Sequence, residues 1–202
     1  MKILKLYSDR PDGRYIAEAA RTLRDGGTLV FPTDTLYALG CDALNHRAIE
    51  RMCRIKGIEP ETQPLSLLCA DLSQASEYVR IDNRAFSVLR RCLPGPFTFL
   101  LPAALRLPKV FRGRKTIGLR VPDNAIARAL AEELGGPLLC TSVRLDDPDE
   151  LVEPESIAMH YASQAELLID GGHGGTVGST IVDLTDSSAP EVVREGAAVF
   201  EP

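Results

Sequence analysis

The residues of this 202-residue chain best suited to chemistry stand at the ends of short apolar runs. The densest group is Pro32-Thr33-Asp34-Thr35-Leu36-Tyr37-Ala38-Leu39-Gly40, which follows the apolar run Thr28-Leu29-Val30-Phe31. Short hydroxyl and carboxylate side chains at a strand end either bind a small polar ligand or close a local turn. Gly118-Leu119-Arg120-Val121-Pro122 sets a guanidinium among apolar neighbours, where it needs an anionic partner. Cys140-Thr141-Ser142-Val143-Arg144 adds two hydroxyls and an arginine. Gly178-Ser179-Thr180-Ile181-Val182-Asp183 opens a strand with two more hydroxyls, and Val193-Arg194-Glu195-Gly196 contributes a third arginine. Each set alone fits a turn or a surface ion pair. Together they describe a pocket of arginines and hydroxyls, a chemistry that binds carboxylates or phosphates.

Other chemistries are poorly served. There is no Walker A and no GxGxxG fingerprint. Gly171-Gly172-His173-Gly174-Gly175 precedes a strand rather than a helix, so it reads as a loop, with phosphate cradling as the lesser alternative. The three histidines (46, 160, 173) lack ligand spacing, and no zinc site is expected. The five cysteines (41, 53, 69, 92, 140) form no CxxC pair and read as buried thiols in a reducing, cytoplasmic setting. No run reaches the ~18 apolar residues of a membrane span, and no secretory signal is visible.

The net charge of −5 is unevenly distributed. Residues 83–122 carry nine Lys or Arg and no acid, whereas residues 123–202 carry three Arg and 16 acids. A 40-residue stretch without a carboxylate in an acidic protein suggests a basic surface facing an anionic ligand. Arg106, Lys109, Arg112, Arg114 and Lys115 are expected on or beside the rim of the pocket, where they would attract polyanions.

The positioning elements follow from periodicity and caps. Helices are expected at 13–25, 46–56, near 72–78, 83–92, 124–134 (capped by Asp123) and near 155–162. Strands are expected at 28–31, 65–70, 97–101, 116–121, 137–141, 166–169, 179–184 and 191–194. Loops 102–115 and 144–154 are candidates for mobility. Helices and strands alternate, but strands follow one another near the middle and the end. That pattern predicts a single α/β (α+β) domain over residues 1–202, with a mixed sheet and flanking helices. The ends carrying Thr33, Arg120, Ser142 and Ser179 are expected to converge on one cavity.

The ordered set PTDTLYALG, IKG followed by PLSLL, PGPFTFLL, TIGLRVP, LLCTS, GSTIVDL and VVREG resembles the YrdC-domain family, most of all its YciO branch. Members of that family make threonylcarbamoyl-AMP from ATP, threonine and bicarbonate for a tRNA modification. The resemblance implies a twisted α/β domain with a concave, basic, nucleotide- and RNA-binding face. It implies that Thr33, Thr35 and Tyr37 line the substrate cavity, that Arg120 binds an amino-acid carboxylate, and that Ser179 touches the amino acid. It further implies that Lys56, Ser142 and Arg194 contact the nucleotide, with Thr141 and Arg144 beside them. ATP with Mg2+ is then a candidate substrate, no cofactor is tightly held, and adenine nucleotide, threonylcarbamoyl-AMP and RNA are the expected partners. Two positions depart from the family pattern. Its catalytic members carry Lys-x-Arg and Ser-x-Asn, where this chain has Lys56-Gly57-Ile58 and Ser142-Val143-Arg144. Synthase activity is expected to be weak or absent. The alternative is a non-catalytic protein that binds double-stranded RNA, tRNA or the ribosome.

Overall fold

The computed structural model describes residues 1–7, 9–58, 65–104, 107, 111, 114–145 and 147–201. In chain order these form β1 (Lys2–Lys5), α1 (Gly13–Arg24), β2 (Thr28–Phe31), β3 (Ala38–Asp42), α2 (His46–Lys56), β4 (Ser66–Leu68), α3 (Leu72–Ala75), α4 (Asn83–Cys92), β5 (Phe97–Pro102), β6 (Thr116–Arg120), α5 (Ala125–Leu134), β7 (Leu138–Ser142), α6 (Pro148–Leu151), α7 (Pro154–Tyr161), β8 (Leu167–Asp170), β9 (Thr180–Asp183) and β10 (Glu191–Arg194). All ten strands join one mixed sheet, in the order β1-β8-β2-β3-β7-β4-β6-β5-β9-β10. The α/β class expected from the sequence is the class observed.

Local chemistry sets the helix ends. Asp12 accepts from Arg14 N at the start of α1, and Asn45 accepts from Ala48 N at the start of α2. Ile16, Ala19, Ala20 and Leu23 fall at i, i+3, i+4 and i+7 and are buried. Helix α2 ends in a Schellman motif. Gly57 turns left-handed at φ 61°, its N–H donates to Arg54 O, and Ile58 N donates to Cys53 O. The sequence placed the α5 cap at Asp123, but the structure places it at Asn124, whose side chain accepts from Ala127 N. Asp123 is otherwise engaged: its N–H donates to Asp34 Oδ2.

Two strands had no sequence signal. In β1 only Leu4 is buried, because it is an edge strand paired on one side with β8. Strand β3 follows the polar turn directly and pairs antiparallel with both β2 and β7.

Alternation along the strands separates two cores. Leu29 and Phe31 of β2, Leu68 of β4, and Leu138 and Cys140 of β7 share one apolar cluster with α1 and α5. Val30, Leu67, Phe99, Leu119 and Leu139 point to the opposite face, beneath α2, α4 and α7. On the α1/α5 face the apolar cluster stops at β4. Ser66, Thr98, Leu100, Gly118 and Ile181 occupy the next inward-alternating positions on β4, β5, β6 and β9, and none of them belongs to it. A cavity lies over this half of the sheet.

Phe99 is fully buried between Phe97 (centroids 5.8 Å) and Phe200 (6.2 Å) in the opposite core. Phe99→Ala is expected to cost about 3–5 kcal/mol, the range for truncating a buried aromatic. Urea unfolding checks this, and a loss below about 1 kcal/mol would contradict the packing described.

Candidate functional site

A cavity of about 660 Å³ opens over β4, β5, β6, β7 and β9, within the usual size of small-ligand sites. Its floor is a row of paired strand positions. Cys140 of β7 pairs with Ser66, Ser66 with Gly118, and Gly118 with Leu100. Glycine is required in that row. A Cβ at position 118 would lie 2.7 Å from Ser66 Oγ and 3.1 Å from Thr98 Cγ2, so the missing side chain provides the cavity's depth. Thr98 Oγ1 and Ser179 Oγ share a buried hydrogen bond of 2.7 Å beside it.

Arg120 closes the inner end. It is 7% exposed, and its Nη2 donates to Asp34 Oδ1 (2.7 Å) and Thr35 Oγ1 (3.0 Å). Its Nε is buried without a hydrogen-bond partner. An unsatisfied buried donor is costly, so Arg120 is held here at a cost in stability. Asp34 holds the guanidinium in place while its second oxygen accepts the N–H of Asp123.

The outer end is cationic. Lys56 leaves the last turn of α2, and its ammonium donates to Ser142 O at 2.8 Å. Arg144 stands exposed just past β7, its backbone N–H donating to the Tyr161 hydroxyl of α7 at 3.2 Å. Arg194 of β10 reaches across to donate from Nη2 to Ser179 O at 2.7 Å. With Arg114, Lys115 and Arg120, six cations line the cavity, and no carboxylate lines it among the described residues. Burial, reinforced by the nearby charge of Arg144, lowers the Lys56 ammonium from 10.5 to about 8. Burial pushes the Cys140 thiol up to about 11, so it is a poor nucleophile despite lining the cavity.

Of the four strand ends expected to converge, Arg120, Ser142 and Ser179 meet in the cavity, together with Lys56, Thr141, Arg144 and Arg194. Thr33 does not. Its hydroxyl accepts from Thr35 N (3.1 Å) and donates to Leu36 O (2.7 Å), so it closes the turn. Thr35 sits behind Arg120 and supports it. Tyr37 is also corrected. It is fully buried in the core, and its phenol donates to Gly172 O (2.7 Å) and accepts from Gly171 N (3.0 Å). The glycine-rich segment is a strap over this turn. Gly175 N donates to Thr35 O at 2.8 Å, and a Cβ at position 175 would lie 2.5 Å from that oxygen. Arg114 and Lys115 line the cavity, whereas Arg106, Lys109 and Arg112 lie outside the described residues. Asp34's role as the Arg120 anchor, and the floor residues Ser66, Thr98 and Gly118, were not singled out from sequence. The available signal was a lone hydroxyl in each of two otherwise apolar strands, Leu65-Ser66-Leu67 and Phe97-Thr98-Phe99.

The described residues contain no group of His, Cys, Asp and Glu side chains able to hold a metal, and no helix among them is long and apolar enough to cross a membrane. The molecule is thus an α/β protein with a mixed sheet, one half-covered face and a cation-lined cavity. The family described as Sua5_yciO_yrdC, telomere recombination, matches residues 21–196, and the chain belongs to that family. YciO of Escherichia coli K12 is 42% identical over 201 residues, covering 98% of this chain and 96% of that protein. The E. coli YciO crystal structure matches with a TM-score of 0.89 at 40% identity, covering 98% of each chain. Threonylcarbamoyl-AMP synthase of Bacillus subtilis is 33% identical over 191 residues, 92% of this chain and 54% of that one. The structure of P. abyssi Sua5 complexed with L-threonine matches with a TM-score of 0.84 at 29% identity, over 97% of this chain and 58% of that one.

Two measurements follow from this geometry. Asp34→Ala leaves the Arg120 charge buried and unpaired, since both side chains are 8% exposed. Breaking such a pair costs about 3–5 kcal/mol. Urea unfolding is expected to show that loss, and the double variant Asp34→Ala/Arg120→Met is expected to recover much of it. For Lys56, anion affinity is expected to fall as pH rises through about 8, where the amine loses its charge. Stability contributed by Lys56 runs the other way: the unfolded chain holds this proton up to 10.5, so the contribution rises between about 8 and 10.5. Calorimetric titration with inorganic pyrophosphate across this window, in CO2-free buffer, is the check. A step that persists in Lys56→Met would contradict the assignment.

Proposed function

We propose that the protein binds an adenine nucleotide, or an acyl adenylate of the threonylcarbamoyl class, in this cavity, and turns over slowly or not at all as a synthase. The observation that carries the reading is the ring of cations lining the cavity with no carboxylate among the described lining residues. Such a wall is repulsive when empty and is relieved by a bound polyanion. Lys56, Ser142, Arg144 and Arg194, with Thr141 beside them, form the phosphate end. Arg120 and Ser179 form the end for a carboxylate-bearing group. Membership of a family that includes threonylcarbamoyl-AMP synthases supports the same class of ligand.

The slow turnover rests on the outer wall. Ile58 lines the cavity, where the family resemblance implies an arginine in catalytic members, and an apolar side chain donates nothing to a phosphate. Arg144 restores the charge from β7's side of the cavity, but not the same fork geometry. Losing one positioned electrostatic donor typically costs about 10²–10³ in rate. A second reading, polyanion binding at the same mouth, is favoured by Arg114 and Lys115 on the wall. RNA held there would show steeply salt-dependent affinity.

Calorimetric titration with AMP, ATP and threonylcarbamoyl-AMP tests the binding, and pyrophosphate release with ATP, threonine and bicarbonate tests the turnover. Saturable binding weakened at least about tenfold by Arg144→Ala or Arg194→Ala is expected, the scale for losing a charge-assisted hydrogen bond. Ile58→Arg with Arg144→Asn is expected to raise pyrophosphate release, and Arg144→Asn alone is not. A wild-type rate equal to that of catalytic relatives would contradict the slow-turnover reading, and no nucleotide binding at low salt would contradict the whole.

A further inference from the structure

Lys56 is set apart from the other lysines among the described residues. Lys2, Lys5 and Lys115 are exposed, and Lys2 pairs with Glu18. Lys56 is half-buried, lines the cavity and pairs with no carboxylate among the described residues. Among the described residues its ammonium donates to a backbone carbonyl, Ser142 O. Arg144 lies close enough to act on its charge, and Arg114, Lys115, Arg120 and Arg194 share the same cavity. Burial raises both the Cys140 thiol that lines the cavity and the Tyr161 phenol, which accepts the N–H of Arg144.

We propose that Lys56 is a carbamylation site, at which its amine takes up dissolved carbon dioxide and the resulting carbamate is held by the cations of the cavity. The neutral amine's lone pair forms a C–N bond to the carbon of CO2. One C=O π pair moves onto oxygen, and the nitrogen releases a proton to solvent. No electron leaves or enters, and no other reactant is needed. The product exchanges a positive charge for a negative one in a wall of positive charges, so repulsion with Arg144 becomes attraction. The carbamate nitrogen keeps one N–H, which can continue to donate to Ser142 O.

The reactive form is available. With the ammonium lowered to about 8, roughly one molecule in ten carries the neutral amine at pH 7, against about one in three thousand for an ordinary lysine. Desolvation beside a second cation is a recognised way to make a lysine nucleophilic. The cavity admits a molecule far larger than CO2. Because the carbamate fills the phosphate end with negative charge, carbon dioxide and an anionic ligand compete. The inference concerns the same cavity as the proposed function but stands apart from it, since the carbamate needs the cations and not the nucleotide.

Carbon-13 NMR of the full chain equilibrated with labelled bicarbonate near pH 8 is the test, with alkyloxonium trapping and peptide mass spectrometry as the second readout. A carbamate resonance is expected in addition to any from the N-terminal amine. It should be lost in Lys56→Arg, which keeps the charge but cannot form the adduct, and reduced severalfold in Arg144→Gln. The trapped mass should lie on the peptide containing Lys56, a result that stands even if a variant folds poorly. No such adduct on the wild-type peptide, or a resonance unchanged in Lys56→Arg, overturns the proposal. AMP titration in CO2-free buffer separates the two readings. Binding of AMP without a carbamate sinks this inference alone, and a carbamate without AMP binding sinks the nucleotide reading alone.

Discussion

The buried pair between Arg120 and Asp34 fixes the positions of three segments that are remote in sequence. Arg120 ends β6, Asp34 belongs to the turn after β2, and the second oxygen of Asp34 holds Asp123 at the entry to α5. Thr35 adds a second acceptor for the guanidinium, and its carbonyl in turn receives Gly175 from the glycine-rich strap. Tyr37 fastens the other side of that strap. A charge taken out of water this completely is tolerated only when its partner and the remaining donors are placed correctly. The PTDT turn therefore serves as the mount for Arg120, which lines the cavity.

The sheet supplies the space. Helices α1 and α5 bury the half of one face that contains β2, β3 and β7, and Leu68 on β4 is where that apolar cluster ends. Beyond it, β4, β5 and β6 carry Ser66, Thr98 and Gly118 at inward positions, beside the aliphatic Leu100 of β5 and Ile181 of β9. A floor of hydroxyls with a missing Cβ at position 118 is poor packing and good binding surface. The cations stand at its outer edge, delivered by the end of α2, the end of β7 and the edge strand β10. The lowered affinity of Lys56 for its proton comes first from burial and then from the nearby charge of Arg144. Stability and function pull in opposite directions here, as expected where a site is built for a charged ligand.

Much of this was legible in the residues. Helices α1 and α2 carried clear caps and apolar stripes, and β2, β5, β6 and β7 were short apolar runs with defined ends. Arg120, Ser142 and Ser179 could be grouped because each follows or opens such a run. What escaped was decided by tertiary contact. Asp123 and Asn124 are both good capping residues, and only the demand of Asp34 on the Asp123 N–H selects between them. Tyr37 carries a polar tip that looks like a ligand contact, yet the strap consumes both of its hydrogen-bonding functions. Ser66 and Thr98 read as isolated hydroxyls until register places them beside Gly118. Strand β1 has a single buried side chain and leaves no periodic trace.

We propose that this cavity receives the anion. An amide chemical-shift map recorded during AMP titration tests it most directly. The account predicts that the largest shifts fall on Lys56, Thr141, Ser142, Arg144, Ser179 and Arg194, with smaller ones carried through Arg120 to Asp34 and Thr35. Shifts concentrated instead in the groove between α3 and α5, where Asp71, Glu77 and Glu132 face Arg128, would contradict it, as would a map with no shifts at all.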